Sequence, residues 1–334
     1  MTKGYKLRFF LQTFFTLGIL LVLILILNPS QLGKDLLRFP LLLIPTAIGL
    51  TACFYILKGL RYCKLLRSVG VPVKIRTAVL FTVGGEAFGL LPLGELARAE
   101  LTSEATKAPF GITAAAVTVQ ELLYTTVLIA IALPGAFAYA AGFSGILAAL
   151  GGILLVLAIL TVSKIFKLVL FLIRKIPFIK RFATQLEVFQ QHASRLLKQR
   201  ETWSWIFLSF LGALVELTLF WLIIRASSGE NISWLTTTFI YGSAYLTGAV
   251  TSPAGGIGGF EGGVIALLHT QGVLGPAAVA AALLQRAADK GIITITGLLV
   301  WFWVRRKLKR TKGLLLGEGE VSFWLRKKSY SRKT

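Results

Sequence analysis

Long apolar stretches with few or no charged side chains set the class of this protein. The run Phe9–Leu27 contains nineteen residues without a charge, and a helix needs about 20 apolar residues to cross the hydrocarbon core of a bilayer. Similar apolar segments lie at 39–57, 111–133, 142–163, 202–224 and 275–304. Because helices satisfy their own backbone hydrogen bonds in lipid, the pattern predicts an all-α polytopic membrane protein with about six spanning helices.

The basic side chains are concentrated between these runs. The chain carries 36 Lys and Arg against 14 Asp and Glu, a net charge of +22, which in a soluble protein would suggest nucleic-acid binding. Here the excess falls in 58–76, in 164–201 and in the tail 305–334. Because basic loops stay cytoplasmic, the pattern predicts an inner-membrane protein with both termini inside and with 134–142 and 226–233 outside. It gives no indication of a nucleic-acid partner.

Two short segments must return to the side of the membrane from which they enter. If residues 77–107 crossed once, the basic segment 164–201 would face outward, against the charge rule. The same count makes residues 234–270 enter from outside and return there, either as a hairpin or as two full crossings. We therefore predict two oppositely oriented re-entrant helical hairpins, because 77–107 holds one short apolar stretch and 234–270 is interrupted by glycine.

Proline and glycine mark where these hairpins turn. Proline interrupts the helical hydrogen-bond ladder, and glycine allows backbone conformations that other residues avoid. Irregular backbone at membrane depth is tolerated only where protein buries it or water reaches it. The residues predicted to form the turns are Pro92 and Gly94 in the first hairpin, and Pro253, Gly255, Gly256 and Gly258 in the second.

The order span, hairpin, span occurs twice. A first unit at about 39–133 and a second at about 202–299 keep similar spacing, and an odd number of predicted crossings separates them. Inverted repeats with broken helices are typical of alternating-access transporters. The sequence therefore predicts one transmembrane domain over 1–304, a cytoplasmic basic amphipathic segment at 164–201 and a basic cytoplasmic tail at 305–334.

Ionisable side chains occur inside the apolar segments, where an isolated charge costs several kcal/mol and indicates a functional site. Arg286 is expected to pair either with Asp289 on its own helix or with Glu261 across a helix pair, and Arg98 with Glu95. Glu216 is expected to be a neutral, hydrogen-bonded acid in a helix contact. Candidates in or beside these segments are Glu86, Glu95, Glu121, Glu216, Glu261, Arg286 and Asp289.

Catalytic and metal-binding patterns are not evident in the sequence. His192 and His269 lie far apart, and Cys53 and Cys63 have no partner at metal-ligand spacing. The sequence shows no nucleophile elbow and no phosphate-binding loop. We therefore predict no catalytic residue, no metal and no cofactor.

The two motifs that carry the hairpin turns resemble a known family. The chain is similar to the flippase-like family named for the transmembrane domain of lysylphosphatidylglycerol synthase, over roughly residues 10–305. Its departures are Ala254, where the family usually has a second proline, and Leu122, where an arginine often follows the glutamate. The matching residues are Pro92, Gly94, Glu95 and Arg98 in the first motif, Gly255, Gly256, Gly258 and Glu261 in the second, and Arg286 in the last span.

The resemblance implies a membrane domain that handles lipids, in some members moving aminoacylated phospholipid between leaflets. We expect a lipid flippase in which the hairpins form a polar midplane cavity. Arg98 and Arg286 would meet a phosphate, and the glutamates would bind a cationic headgroup or carry protons. The residues predicted to bind lipid are Glu95, Arg98, Glu121, Glu261, Arg286 and Asp289.

Two other functions stay open at this point. One is an enzyme of lipid-linked sugars with Glu95 and Glu261 as acid and base. The other is a partner of a separately encoded lipid-modifying transferase. Since about 30 residues follow the last predicted span, we expect no synthase domain in the chain itself.

Overall fold

Helices form all the regular structure in the described part of the chain. The computed structural model describes residues 40–89, 94–136, 142–174, 183–251, 256 and 258–310. In chain order, its helices are α1 (Leu43–Ser68), α2 (Ile75–Glu86), α3 (Leu96–Thr106), α4 (Phe110–Ala136), α5 (Gly142–Thr161), α6 (Ser163–Arg174), α7 (Ala183–Lys198), α8 (Arg200–Ser204), α9 (Ile206–Ser228), α10 (Trp234–Thr251), α11 (Gly259–His269), α12 (Gly275–Arg286), a π-helical turn (Ala287–Gly291) and α13 (Ile292–Arg310).

Within the described ranges, four helical segments are long and apolar enough to cross a membrane. They are Leu43–Ser68, Phe110–Ala136, Arg200–Ser228 and Gly275–Leu308. The all-helical, multi-pass character predicted from the sequence is therefore confirmed.

The structure does not establish the other two predicted spans as membrane crossings. Phe9–Leu27 lies outside the described residues. The span predicted at 142–163 is helix α5, in which side chains are described only from Leu150 onward. Its apolar part Leu150–Thr161 is shorter than a crossing. Six spans thus stays a prediction.

Helix α1 is longer than its apolar run. The charge pattern ended the span at Leu57 and placed residues 58–76 in a basic loop, and this is wrong for the first part of that segment. The helix continues to Ser68, with Lys58 and Arg61 both buried. It ends where Gly70 adopts a positive φ of 82°, a conformation that glycine reaches without steric cost.

Two pairs of shorter helices pack in matching ways. Helices α2 and α3 contact each other, as do α10 and α11. In addition, α2 packs against α13, whereas α10 packs against α4. Each pair therefore contacts a long helix that belongs to the other half of the chain.

Glycine allows close approach inside both pairs. A methyl group added at Gly85 of α2 would lie 2.6 Å from the Cα of Arg98 in α3, and one added at Gly263 of α11 would lie 3.0 Å from the Cα of Ala244 in α10. Small residues at such contacts are a common means of helix packing in membranes.

The turns of the predicted hairpins are described only in part. Gly94 lies in a turn before α3, and Gly256 and Gly258 have positive φ angles of 73° and 82° before α11. These are conformations that glycine supplies. Pro92, Pro253 and Gly255 lie outside the described residues.

The described parts of the basic segment after α5 are helical. In α6, Phe166 and Leu170 are buried, whereas Ile165, Leu168 and Phe171 are exposed. The break predicted at Pro177 lies outside the described residues. Helix α7 covers α4 with Ala193, Leu196 and Leu197.

Candidate functional site

A cavity of about 290 Å³ lies among helices from both halves of the chain. Its wall combines apolar rings with several acids and bases, a mixture typical of ligand sites. It is lined by Phe54, Lys58, Gly89, Gly94, Glu95, Glu121, Tyr124, Glu216, Tyr241, Tyr245, Gly248, Ala249, Gly256, Phe260, Gln285, Arg286, Asp289 and Lys290.

Lys58 of α1 is the centre of the charges contributed by the first half. Its ammonium lies 2.6 Å from an oxygen of Glu86 and 3.3 Å from one of Glu121. The carboxylate of Glu95 is 3.6 Å away. Because Lys58 is only 5% exposed, these acids supply the compensation that a buried ammonium needs.

Arg98 of α3 is the second cation of this group and is fully buried. Its Nη2 donates to Glu121 at 2.8 Å and lies 3.5 Å from Glu95, three residues earlier. The guanidinium also lies 4.8 Å from the centre of the Tyr62 ring, a favourable cation–π distance. We refer to Lys58, Glu86, Glu95, Arg98 and Glu121 as the Lys58 cluster.

Three acids of the Lys58 cluster are close enough to hold a metal ion. Oxygens of Glu86, Glu95 and Glu121 lie within 4.8 Å of one another. The Lys58 ammonium lies within 3.6 Å of all three, so the protein itself brings a cation to this group of carboxylates.

The second half contributes one strong ion pair. Nε of Arg286 in α12 donates to Glu261 of α11 at 2.5 Å, and Nη2 donates to the carbonyl of Gly256 at 3.1 Å. The other oxygen of Glu261 accepts from the backbone N–H of Gly258 at 2.7 Å. Of the two alternatives predicted for Arg286, this is the contact across the helix pair.

The π-helical turn brings further charges to the same cavity. Asp289 accepts from the hydroxyl of Tyr55 at 3.2 Å. The ammonium of Lys290 lies 3.7 Å from Asp289 and 3.7 Å from Glu86 of α2. Lys290 therefore links the Lys58 cluster to the second half of the chain.

Aromatic side chains form much of the remaining wall. Phe54 and Tyr124 pack edge to face at 5.7 Å, and Tyr241 and Phe260 do so at 5.4 Å. Tyr124 also donates its hydroxyl to Glu216, which places that acid in a hydrogen-bonded helix contact.

The structure brings the predicted site residues to one place. Glu95, Glu121, Arg286 and Asp289 line the cavity. Arg98 and Glu261 lie behind that lining, each paired with a residue that does line it.

Sequence reasoning missed Lys58, Lys290, Gln285 and the three tyrosines of the wall. Lys58 was counted as a loop charge because it follows an apolar run. Lys290 has a clear signal, since it is a lysine within a segment otherwise long enough to span the membrane.

Comparison with known proteins agrees with this architecture. The family model described as the lysylphosphatidylglycerol synthase TM region matches residues 10–297. The match spans both helix pairs and all the residues that line the cavity. No curated protein matches the chain. The family and the apolar helices together make this a multi-pass membrane protein of lipid metabolism or transport.

Proposed function

Because the chain belongs to the family of the lysylphosphatidylglycerol synthase transmembrane region, we propose that it is a lipid flippase. It moves a phospholipid or a lipid-linked headgroup between leaflets of the inner membrane through the central cavity. The observation that carries this proposal is the cavity itself, whose charged wall is drawn from apolar helices of both halves.

The packing of the two helix pairs supports an inverted repeat with alternating access. Helix α2 lies against α13 in the way that α10 lies against α4, so exchanging the halves preserves the contacts. Repeats of this kind in transporters place their binding site at the repeat interface. Glu95 and Gly256, which lie shortly before α3 and α11, border the cavity.

The chemistry of the wall suits a charged headgroup. A headgroup that leaves water needs partners in place of its hydration shell, and the cavity offers both carboxylates and cations. The aromatic rings cover apolar parts of the ligand and favour any cationic part that approaches their faces. The acyl chains would remain in the bilayer. In this proposal both termini are cytoplasmic, because the basic segments favour that side of the membrane.

Reconstitution into vesicles tests the proposal. Purified full-length protein would be inserted into vesicles that carry fluorescent phospholipid in both leaflets, and an impermeant reductant would then be added outside. Translocation predicts that the protected inner-leaflet signal decays faster than in vesicles without protein. Decay at the protein-free rate across anionic, zwitterionic and cationic headgroups would refute the proposal.

Extraction of the lipids after the same experiment separates transport from chemistry. A flippase leaves every lipid unchanged. A new lipid product formed by the purified chain would instead identify an enzyme, with Glu95 or Glu261 as the first residues to examine.

A further inference from the structure

Lys290 is the most weakly held of the three cations that line the cavity in the described part of the chain. Lys58 has a carboxylate at 2.6 Å and Arg286 has one at 2.5 Å. The two carboxylates nearest to Lys290, Asp289 and Glu86, both lie at 3.7 Å. That distance exceeds the 2.7–2.9 Å typical of a charge-assisted hydrogen bond. Its ammonium therefore has donors to offer a ligand.

At the position of Lys290, an ammonium without a close carboxylate is energetically costly. It lies near the middle of the segment Gly275–Leu308, which is long and apolar enough to span a membrane. Its side chain is only 17% exposed. An ammonium at such a place is normally compensated closely or faces a functional cavity, and Lys290 lines the cavity.

Gln285, on the same stretch of helix, is a second polar group without a partner. It is 1% exposed and borders the cavity. Neither its amide nitrogen nor its amide oxygen has a hydrogen-bond partner among the described residues. Buried amides are nearly always paired. The corresponding glutamine of the first half, Gln120, does donate to the carbonyl of Lys58 at 2.9 Å.

Gln285 and Lys290 both line the cavity and lie five residues apart in the chain. The π-helical turn Ala287–Gly291 lies between α12 and α13, and such turns often occur at functional sites. Glu86 has the Lys58 ammonium at 2.6 Å, which reduces its repulsion of an anion at Lys290.

We propose that Lys290 and Gln285 form the subsite that binds the anionic phosphate group of the ligand. Arg98 and Arg286, expected from the sequence to meet the phosphate, already donate to Glu121 and Glu261. A phosphate oxygen takes a hydrogen bond from the Lys290 ammonium without breaking either pair, and one from the Gln285 amide once that buried side chain turns toward the cavity. That this phosphate belongs to a lipid rests on the proposed function, whereas the anion site does not.

Binding to the purified full chain in a phosphate-free detergent tests the subsite by titration calorimetry. The probes are a short-chain phosphatidylglycerol, a diacylglycerol with the same acyl chains, and inorganic phosphate. Lys290→Gln should weaken binding of the phosphatidylglycerol at least about tenfold. Lys290→Arg should largely restore it, and Lys64→Gln, outside the cavity, should leave it unchanged. Wild-type affinity in Lys290→Gln would overturn the proposal.

Gln285→Leu separates a ligand contact from a structural role. Since the amide has no partner to lose, this variant should keep or raise the thermal unfolding temperature while weakening phosphatidylglycerol binding. Gln120→Leu, which removes a hydrogen bond, should lower that temperature. A Gln285→Leu protein that binds phosphatidylglycerol normally would contradict the subsite, even if Lys290→Gln failed to fold.

The probes also identify the source of the phosphate. Binding of phosphatidylglycerol without binding of inorganic phosphate assigns the subsite to a lipid headgroup, and competition by inorganic phosphate assigns it to the phosphate group alone. If the wild type binds the anion but vesicles show no translocation, the subsite stands and the proposed function fails. If translocation proceeds and Lys290→Gln binds and transports normally, the function stands and the subsite fails.

Discussion

The two halves of the chain hold their charges in different ways. In the first half, five charged residues form the Lys58 cluster, in which most members contact two or more others. In the second half, Glu261 and Arg286 form one strong pair. The carboxylates nearest to Lys290 lie 3.7 Å from its ammonium.

This difference indicates in which half a charged side chain can exchange its protein partner for a ligand. Removing one member of a dense buried network leaves uncompensated charge, so such a network favours one arrangement. A weakly held cation can change partners at little cost. We infer that the first half supplies a fixed wall and that the second half supplies the groups that exchange with the headgroup.

The largest expected effect comes from removing the centre of the fixed wall. Lys58→Met leaves three carboxylates without their shared ammonium and should lower the free energy of unfolding by about 3–5 kcal/mol. Thermal unfolding and size-exclusion profiles in detergent would measure it. Lys64→Met, on the same helix and stacked over Trp205, is the matched control. Equal stability of both variants would mean that the cluster is not a structural element.

Next in size is the close packing inside each helix pair. Gly85→Ala should cost roughly 1–3 kcal/mol because its methyl group meets the backbone at Arg98. Gly263→Ala should cost less, since the nearest backbone atom of Ala244 lies at 3.0 Å. Gly262→Ala has nothing within 4 Å and should be neutral or stabilising. If Gly263→Ala lowered the thermal unfolding temperature more than Gly85→Ala, the second pair would be the more rigid one.

The Glu261–Arg286 pair should matter more for transport than for stability. Glu261→Gln cannot serve both Gly258 and Arg286 as an acceptor, so we expect a loss of about 1–2 kcal/mol in stability. Arg286→Ala should also be less stable than the wild type, because the buried Glu261 loses its counter-ion, although the Gly258 N–H still has its acceptor. Both variants should abolish translocation in vesicles. Normal transport by both would make the pair purely structural.

The smallest effect belongs to the exposed end of α13. Arg305 contacts Glu100 at 3.1 Å and Glu104 at 3.0 Å, and all three side chains are partly exposed. Exposed ion pairs contribute little, so Arg305→Gln should change stability by less than about 1 kcal/mol. Salt should shrink the difference further. A larger or salt-independent loss would show that this contact is part of the fixed wall.

Much of the architecture was predictable because apolar length and glycine position act locally. The spans at 111–133 and 202–224 match α4 and α9 closely. The glycines expected to turn the second hairpin include Gly256 and Gly258, both with positive φ. These signals depend on residues near each other in the chain.

The wall of the cavity was less predictable because its partners are distant in sequence. Lys58 looks like a loop charge until α2 and α4 bring Glu86 and Glu121 to it. Tyr124 and Tyr241 lie in helices without a clear apolar face, so periodicity does not separate a cavity-facing ring from a packed one.

The π-helical turn affects how the last span is oriented. A π-turn holds one residue more than an α-turn, and one residue corresponds to about 100° of rotation along a helix. The positions that follow the turn, such as the outward Ile295 and Leu299 of α13, are therefore rotated by that extra step from where an unbroken α-helix would place them. If the π-helical turn moved along the helix, the residues between its old and new positions would rotate about the helix axis. The two ends of the helix would keep their orientation. The span thus contains its own register adjustment, located beside the cavity.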